Sequence, residues 1–387
     1  MKRAAVAVVG GGVIGASIAY NLAKRGVRDV LVLDRGRGPG EGSTGKATGG
    51  FRAQFATAVN VRLSLLAREK LREFDDEIGV DPGYVQAGYL WIAGTATAMD
   101  TLRAAVAIQN SAGLTEAREI DAEEIGKLNP AVDLEAVVGG SWCPTDGFIS
   151  PLQILSGYIG AATRLGVKFE WNADVTEILL CTKRNTRQLS TSRGPVSVGA
   201  VVNAAGAWAG LLPCGDHGEL EVTPLKRQVA VSESTDVLPA STPMTIFVDT
   251  GFHLREKDGR VMLLSPAPRA IDDSLESGVD DEWIDSVLAE AAGRVPALAD
   301  LRLDRQACYA GYYEMSPDRH AILGPAPWCD NLFLANGSSG HGVMHAPAIG
   351  QLLAEFICDG VASSLDVSAL RPTRFSERAP NVSTELL

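Results

Sequence analysis

Apolar residues follow two rhythms along the chain. Short unbroken runs, AAVAVV at 4–9, DVLVLD at 29–34 and VGAVVNA at 198–204, have the length and β-branched content of parallel strands buried on both faces. Between the first two, over roughly 13–24, apolar positions recur at helical spacing until Gly26 stops them. Strand, helix, strand makes a βαβ unit. The helical rhythm returns over 57–78, where Val61, Leu65, Leu66, Leu71 and Phe74 mark one face, and over 99–112, 121–128 and 281–294. Pro151, after the turn Thr145-Asp146-Gly147, suits the first position of a further helix. YVQAGYLWIA at 84–93, residues 167–180 and most of 221–270 read as strands and turns. A last strand at 332–335 feeds GSSGHGVMHAPAIGQLLAEF, a second glycine-rich turn that opens into an amphipathic helix.

Parallel character at both ends, with antiparallel material between, predicts a mixed α/β and α+β chain. The expected division is a discontinuous Rossmann-like domain, 1–85, 146–212 and 318–387, with an antiparallel-sheet substrate domain formed by 86–145 and 213–317. Composition changes this picture little: 387 residues with 46% hydrophobic and 21% charged is ordinary for a globular chain. A formal net charge of −12 speaks against a general nucleic-acid binder. No run reaches the roughly 18 apolar residues that span a membrane. MKRAAVAVVGGG runs into glycines and a helix with no cleavage site, so it reads as a first strand and not a signal peptide. The six cysteines form no C-x-x-C pair and read as reduced thiols of a cytoplasmic protein. His341 and His345 are four apart but lack a third ligand, so no metal is expected. His320 reads as structural, and the acidic stretch 272–285 as a solvated face.

Gly10-x-Gly12-x-x-Gly15 follows a strand and opens a helix. The first glycine makes the tight turn, the second lets a diphosphate approach, and the third lets helix and strand pack. Asp34 ends the second strand, where an acid takes ribose hydroxyls. Further turn-like stretches at Gly42-Ser43-Thr44, at NAAGAW (203–208) and at Gly337 suit FAD, a longer dinucleotide than NAD with more to be held.

VVGGGVIGASIAYNLAKRG, STGKATGGFRAQF, GYLWIA, SWCPTDGFISP, VVNAAGAWA, AGYYEMSPD and GSSGHGVMHAPAIG, in that order, resemble the D-amino-acid-oxidase superfamily of flavoenzymes. Within it the resemblance is to the branch of sarcosine oxidases, dimethylglycine dehydrogenases and proline dehydrogenase β subunits. It implies that Gly10, Gly12, Gly15 and Asp34 take the adenosine diphosphate part of FAD, continued by Arg35, Ser43 and Thr44, and that Val13 and Ile14 also bind the cofactor. Val175, Ala205, Gly206 and Trp208 would line the adenine end. Gly337, Gly340, His341, Gly342 and Met344 would meet the isoalloxazine ring, and Gly49, Gly50, Gly311 and Val343 would also bind FAD. A helix N-terminus there would stabilise charge that grows on the flavin during reduction.

The chain also departs from its relatives. Monomeric sarcosine oxidases carry a flavin-linked cysteine where this chain has Gly311, and Cys308 is three residues too early, so FAD is expected to be non-covalent. Their carboxylate-gripping arginine and lysine fall at Gly49 and Met344. Candidate substrate residues are then Arg52, Tyr313, His253 and Lys226. The expected reaction oxidises the C–N bond of an amino acid or secondary amine by hydride transfer to flavin N5, with oxygen or another acceptor taking the electrons. Two alternatives stand beside it. One is a dehydrogenase of a hydroxy acid or glycerol phosphate, with His253 or His345 as base. The other is a flavin-bearing subunit of a multi-subunit amine dehydrogenase, and for either assembly a partner subunit or a homo-oligomer is possible.

Overall fold

The computed structural model describes residues 2–179, 187–214, 220–266 and 278–382. Cys181 and the part of the acidic stretch up to residue 277 lie outside them. Two eight-stranded sheets carry the described chain. The first runs Ile322–Pro325, Leu332–Asn336, Val196–Asn203, Lys2–Val9, Val30–Leu33, Lys168–Glu170, parallel except at its first strand. A hairpin, Val175–Leu179 with Arg187–Thr191, pairs antiparallel to Val196–Asn203. In the second sheet the order is Tyr309–Met315, Thr223–Val231, Arg260–Leu264, His253–Lys257, Met244–Phe247, Tyr89–Ala93, Gly139–Cys143, Arg118–Ile120. It is antiparallel except where Met244–Phe247 runs beside Tyr89–Ala93.

Helix Val13–Lys24 is the pivot of the first core. It packs against both the helix Pro151–Arg164 and the late helix Gly342–Asp359, so it is buried on nearly all sides and not on one stripe only. Ile18 and Leu22 are fully buried there, each worth roughly 1.5–3 kcal/mol of burial. The late helix comes close enough that a Cβ at Gly350 would lie 2.0 Å from Ser17 Oγ. That contact brings the N-terminal ends of the two helices to one side of the sheet.

Three expected elements are shorter than their apolar patterns. The helix expected over 57–78 breaks into Ala58–Arg72 and Phe74–Ile78. Lys70 and Arg72 end the first piece, while Asp75, Asp76 and Glu77 open the second, so the charges favour a C-terminus followed by a new N-terminus. The strand expected over 84–93 begins only at Tyr89, because Gly88 turns at φ +82° with the Trp142 ring where a side chain would go. The run 167–180 divides because Asn172 takes φ +54°, which sends Lys168–Glu170 to the sheet and Val175–Leu179 to the hairpin.

Candidate active site

The glycine turn at the start is built by close backbone approach. Gly10 has φ +104°, and a Cβ there would stand 2.2 Å from the carbonyl oxygen of Ala204. Gly15 lies behind the turn and does not line the cavity; its Cβ would meet the Gly10 carbonyl at 1.9 Å, so its role is helix packing. The Asp34 carboxylate accepts from Gly11 N at 2.6 Å and from Gly36 N at 2.7 Å, locking two turns together. Thr44 Oγ1 accepts from Val13 N at 3.1 Å, and Ser43 Oγ donates to the Tyr312 carbonyl at 2.7 Å, tying the 43–46 turn to the first helix and to the second sheet. Gly12, at the N-cap, has no side chain to cap the helix. Arg35 stacks 4.8 Å from the Trp208 ring, whose buried indole N–H has no hydrogen-bond partner among the described residues.

From this turn a single cavity of about 1190 Å³ extends to the second sheet. Gly10, Gly12, Val13, Ile14, Asp34, Arg35, Ser43 and Thr44 line one end, together with Val175, Ala205, Gly206 and Trp208. Gly49, Gly50, Gly311, Gly340, His341, Gly342, Val343 and Met344 line the other. Gly340 takes φ +92°, with its Cβ position 2.5 Å from the Tyr313 ring. His341 is the N-cap of the late helix and makes no side-chain cap, so the first turn, Gly342 to Met344, faces the cavity uncapped. Gly337 does not line the cavity; it packs against Ser316 behind the wall, 2.8 Å from where its Cβ would be. Gly49 cannot carry a large side chain in this backbone: φ is +81°, and a Cβ would stand 2.4 Å from the Ile149 carbonyl.

Of the four candidate substrate residues, Arg52, Tyr313 and His253 line the cavity and Lys226 does not. Lys226 belongs to Thr223–Val231, where successive side chains alternate between faces. Its Nζ pairs with Asp280 at 3.2 Å. Arg227, the next residue, takes the cavity face. Arg52 is buried; Nη1 donates to the Gln54 carbonyl at 2.6 Å, Nη2 lies 3.0 Å from His341 Nε2, and the guanidinium stacks 4.0 Å from Phe55. Burial lowers its pKa to about 10, leaving it cationic at neutral pH. His253 donates from Nδ1 to the Gly251 carbonyl at 2.8 Å, since a carbonyl only accepts. Burial drives its pKa down to about 4, and the charges of Arg227 and Arg52 push the same way. The ring is neutral, and Nε2 keeps its lone pair.

His345 is no base for this cavity. It points from the late helix to Ser64, with Nε2 2.8 Å from Oγ, and burial holds its pKa near 3. His320 is likewise internal, bonded to Thr57 Oγ1 and the Asp318 carbonyl. Among the described residues no group of three His, Cys, Asp or Glu could hold a metal ion. Nor is any described helix long and apolar enough to cross a membrane.

Sequence reasoning passed over two carboxyls. Asp146 is fully buried and accepts from the N–H groups of Ala53 and Gln54, fixing the loop that carries Arg52. Glu314 lines the cavity beside Gly342. Burial raises both to about 7. Asp146 sat in a recognisable turn; Glu314 had no signal beyond its strand.

A family model described as FAD dependent oxidoreductase (DAO) matches residues 5–356. The chain belongs to the DAO family of FAD-dependent oxidoreductases. It is 29% identical to the FAD-dependent oxidoreductase domain-containing protein 1 of Xenopus laevis, over 98% of this chain and 84% of that one. It is 28% identical to mitochondrial dimethylglycine dehydrogenase of Rattus norvegicus over 99% of this chain, but spans only 46% of that enzyme's length. The crystal structure of L-proline dehydrogenase from P. horikoshii superposes with a TM-score of 0.88 at 28% identity, covering 98% of this chain and 100% of that one. As in the rest of the DAO family, the cofactor is FAD, and the cavity fits it. Its volume exceeds the ~300–1,000 Å³ of pockets for drug-sized ligands, as an elongated dinucleotide requires. The late helix turns an uncapped N-terminus to the cavity, the first helix has only the Thr44 hydroxyl at Val13 N–H, and Trp208 presents an orphaned donor at the end lined by the first turn.

Proposed function

We propose that this chain oxidises the C–N bond of an amino acid or secondary amine. When bound, FAD supplies an acceptor at N5 for the hydride of the substrate's α-carbon; the imine that results hydrolyses in water. The observation that carries this reading is His253: a neutral imidazole with a lone pair on Nε2, in the same cavity as the uncapped late helix. An ammonium has no lone pair to assist hydride loss, so the substrate must react as a neutral amine. His253 Nε2 accepts the N–H of substrate that binds as the free amine, and the cations Arg227 and Arg52 that act at His253 disfavour a protonated nitrogen there. Similarity to the rat dimethylglycine dehydrogenase and the P. horikoshii L-proline dehydrogenase supports the same substrate class.

The other residues position and shield. Tyr313 walls the cavity against Gly340, and Arg52, held by Gln54 and His341, keeps positive charge beside the late turn. The N–H groups of Gly342 to Met344 favour negative charge there by roughly 0.3–1 kcal/mol. FAD is held without a covalent bond: Gly311 offers no attachment, and the Cys308 thiol accepts from Val231 N at 3.3 Å, outside the cavity. Oxygen or a second acceptor, a partner subunit included, then removes the electrons.

The test is an anaerobic titration of the FAD-loaded protein, following visible absorbance, with sarcosine, L- and D-proline, other N-methyl and primary amino acids, glycerol phosphate and hydroxy acids. Bleaching by one amine class is expected. Bleaching by glycerol phosphate or a hydroxy acid alone would replace C–N by C–O oxidation.

A further inference from the structure

Among the cations that line the cavity, Arg227 is half-buried, whereas Arg35, Lys46 and Arg319 are exposed. It projects from Thr223–Val231, opposite Gly311 of the neighbouring strand. Its guanidinium carbon lies 5.5 Å from the centre of the Tyr313 ring. Lys226 and Gln228 on either side both reach Asp280, at 3.2 and 2.9 Å. Arg227 reaches no carboxylate: among the described residues it has neither an ion pair nor a side-chain hydrogen bond. Burial opposes its charge; Tyr313 favours it, and Arg319, another cation, opposes it. Arg52 is not equivalent, because two of its nitrogens are already engaged within the protein.

A partly buried guanidinium without a counter-charge is costly, and a ligand that brings an anion offsets the cost. Its planar fork matches a carboxylate with two parallel N–H···O bonds. Tyr313 lies against one side of it and neutral His253 feels its charge, so the anion site and the amine acceptor share one wall.

We propose that Arg227 is the specificity-determining anchor for a carboxylate on the substrate. The inference rests on the reading of the cavity as an amine-oxidising site, and it narrows the substrate from amines at large to amino acids. The amine is held at His253 while Arg227 takes the carboxylate.

The test uses FAD-loaded full-length protein and needs no turnover. Benzoate and its neutral counterpart benzamide are titrated separately, read by the change in flavin absorbance and by calorimetry. Wild type is expected to bind benzoate at least about tenfold more tightly than benzamide. Arg227→Gln should weaken benzoate by about tenfold or more while leaving benzamide affinity and FAD content unchanged, and Arg227→Lys should fall between, keeping the charge but losing the fork. Equal binding of benzoate and benzamide by wild type overturns the proposal without any variant. So does an Arg227→Gln protein that retains FAD and binds benzoate as wild type does. If benzoate depends on Arg227 yet no amine bleaches the flavin, the anion anchor stands and the reaction assignment alone falls.

Discussion

Lys226 and Arg227 are adjacent cations with opposite fates, because a strand sends alternate side chains to opposite faces. Sequence reasoning chose Lys226 and passed over Arg227, because which of the two faces the cavity is not legible locally. Strand phase is set by pairing, here Leu225 opposite Tyr313 and Arg227 opposite Gly311, and pairing between strands some eighty residues apart leaves no local mark. Lys226→Ala should therefore be mild: a partly exposed pair with Asp280 is worth about 0–1 kcal/mol, and KM and kcat should stay within about twofold of wild type. A large rise in KM would put Lys226 back in the site. His345 permits a pH prediction. Its folded pKa, near 3, is below the ordinary value of about 6.5, so the unfolded chain takes up a proton that the folded chain refuses. Stability from this group is whole above about pH 6.5 and is lost as pH falls toward 3. His345→Gln, which can keep a bond to Ser64, should show a smaller fall in Tm than wild type between about pH 6.5 and 5, measured at saturating FAD. Identical falls would remove His345 from the acid response.

At the scale of elements, both glycine turns were legible because each couples a short apolar strand to a helix, a pattern that needs no tertiary information. Asp34 was legible as a partner of the first turn, although its carboxylate takes the backbone N–H groups of Gly11 and Gly36 in this structure. The breaks at Glu73, Gly88 and Asn172 were not, since apolar spacing runs straight through them. Nor was the close approach of the two helices that follow the turns. Gly350 against Ser17 is the contact that sets it. Gly350→Val would force the helices apart, at about 1–3 kcal/mol for overpacking a tight core. Because the start of each helix faces the cavity, FAD affinity should drop together with Tm. A variant that loses Tm but binds FAD as wild type would show that helix spacing does not govern the cofactor site.

On the scale of the whole molecule, the parallel sheet carries the first glycine turn at one end of the cavity, and the antiparallel sheet supplies Arg227, His253 and Tyr313. We propose that these sheets mark two domains, with the chain passing between them more than once. This explains why candidate substrate residues were the hardest to find. They come from strands far apart in sequence, whereas the cofactor residues cluster in turns. Gly49, with φ +81° and its Cβ position 2.4 Å from the Ile149 carbonyl, leaves no room for a large side chain on that loop.

The most direct test of C–N oxidation is single-turnover flavin reduction without oxygen, comparing the best amino-acid substrate with the same compound deuterated at its α-carbon. Hydride transfer from that carbon predicts slower bleaching with the deuterated compound, by a few-fold, and release of the matching keto acid or aldehyde. Equal rates at saturating substrate, or bleaching with no carbonyl product, would contradict it.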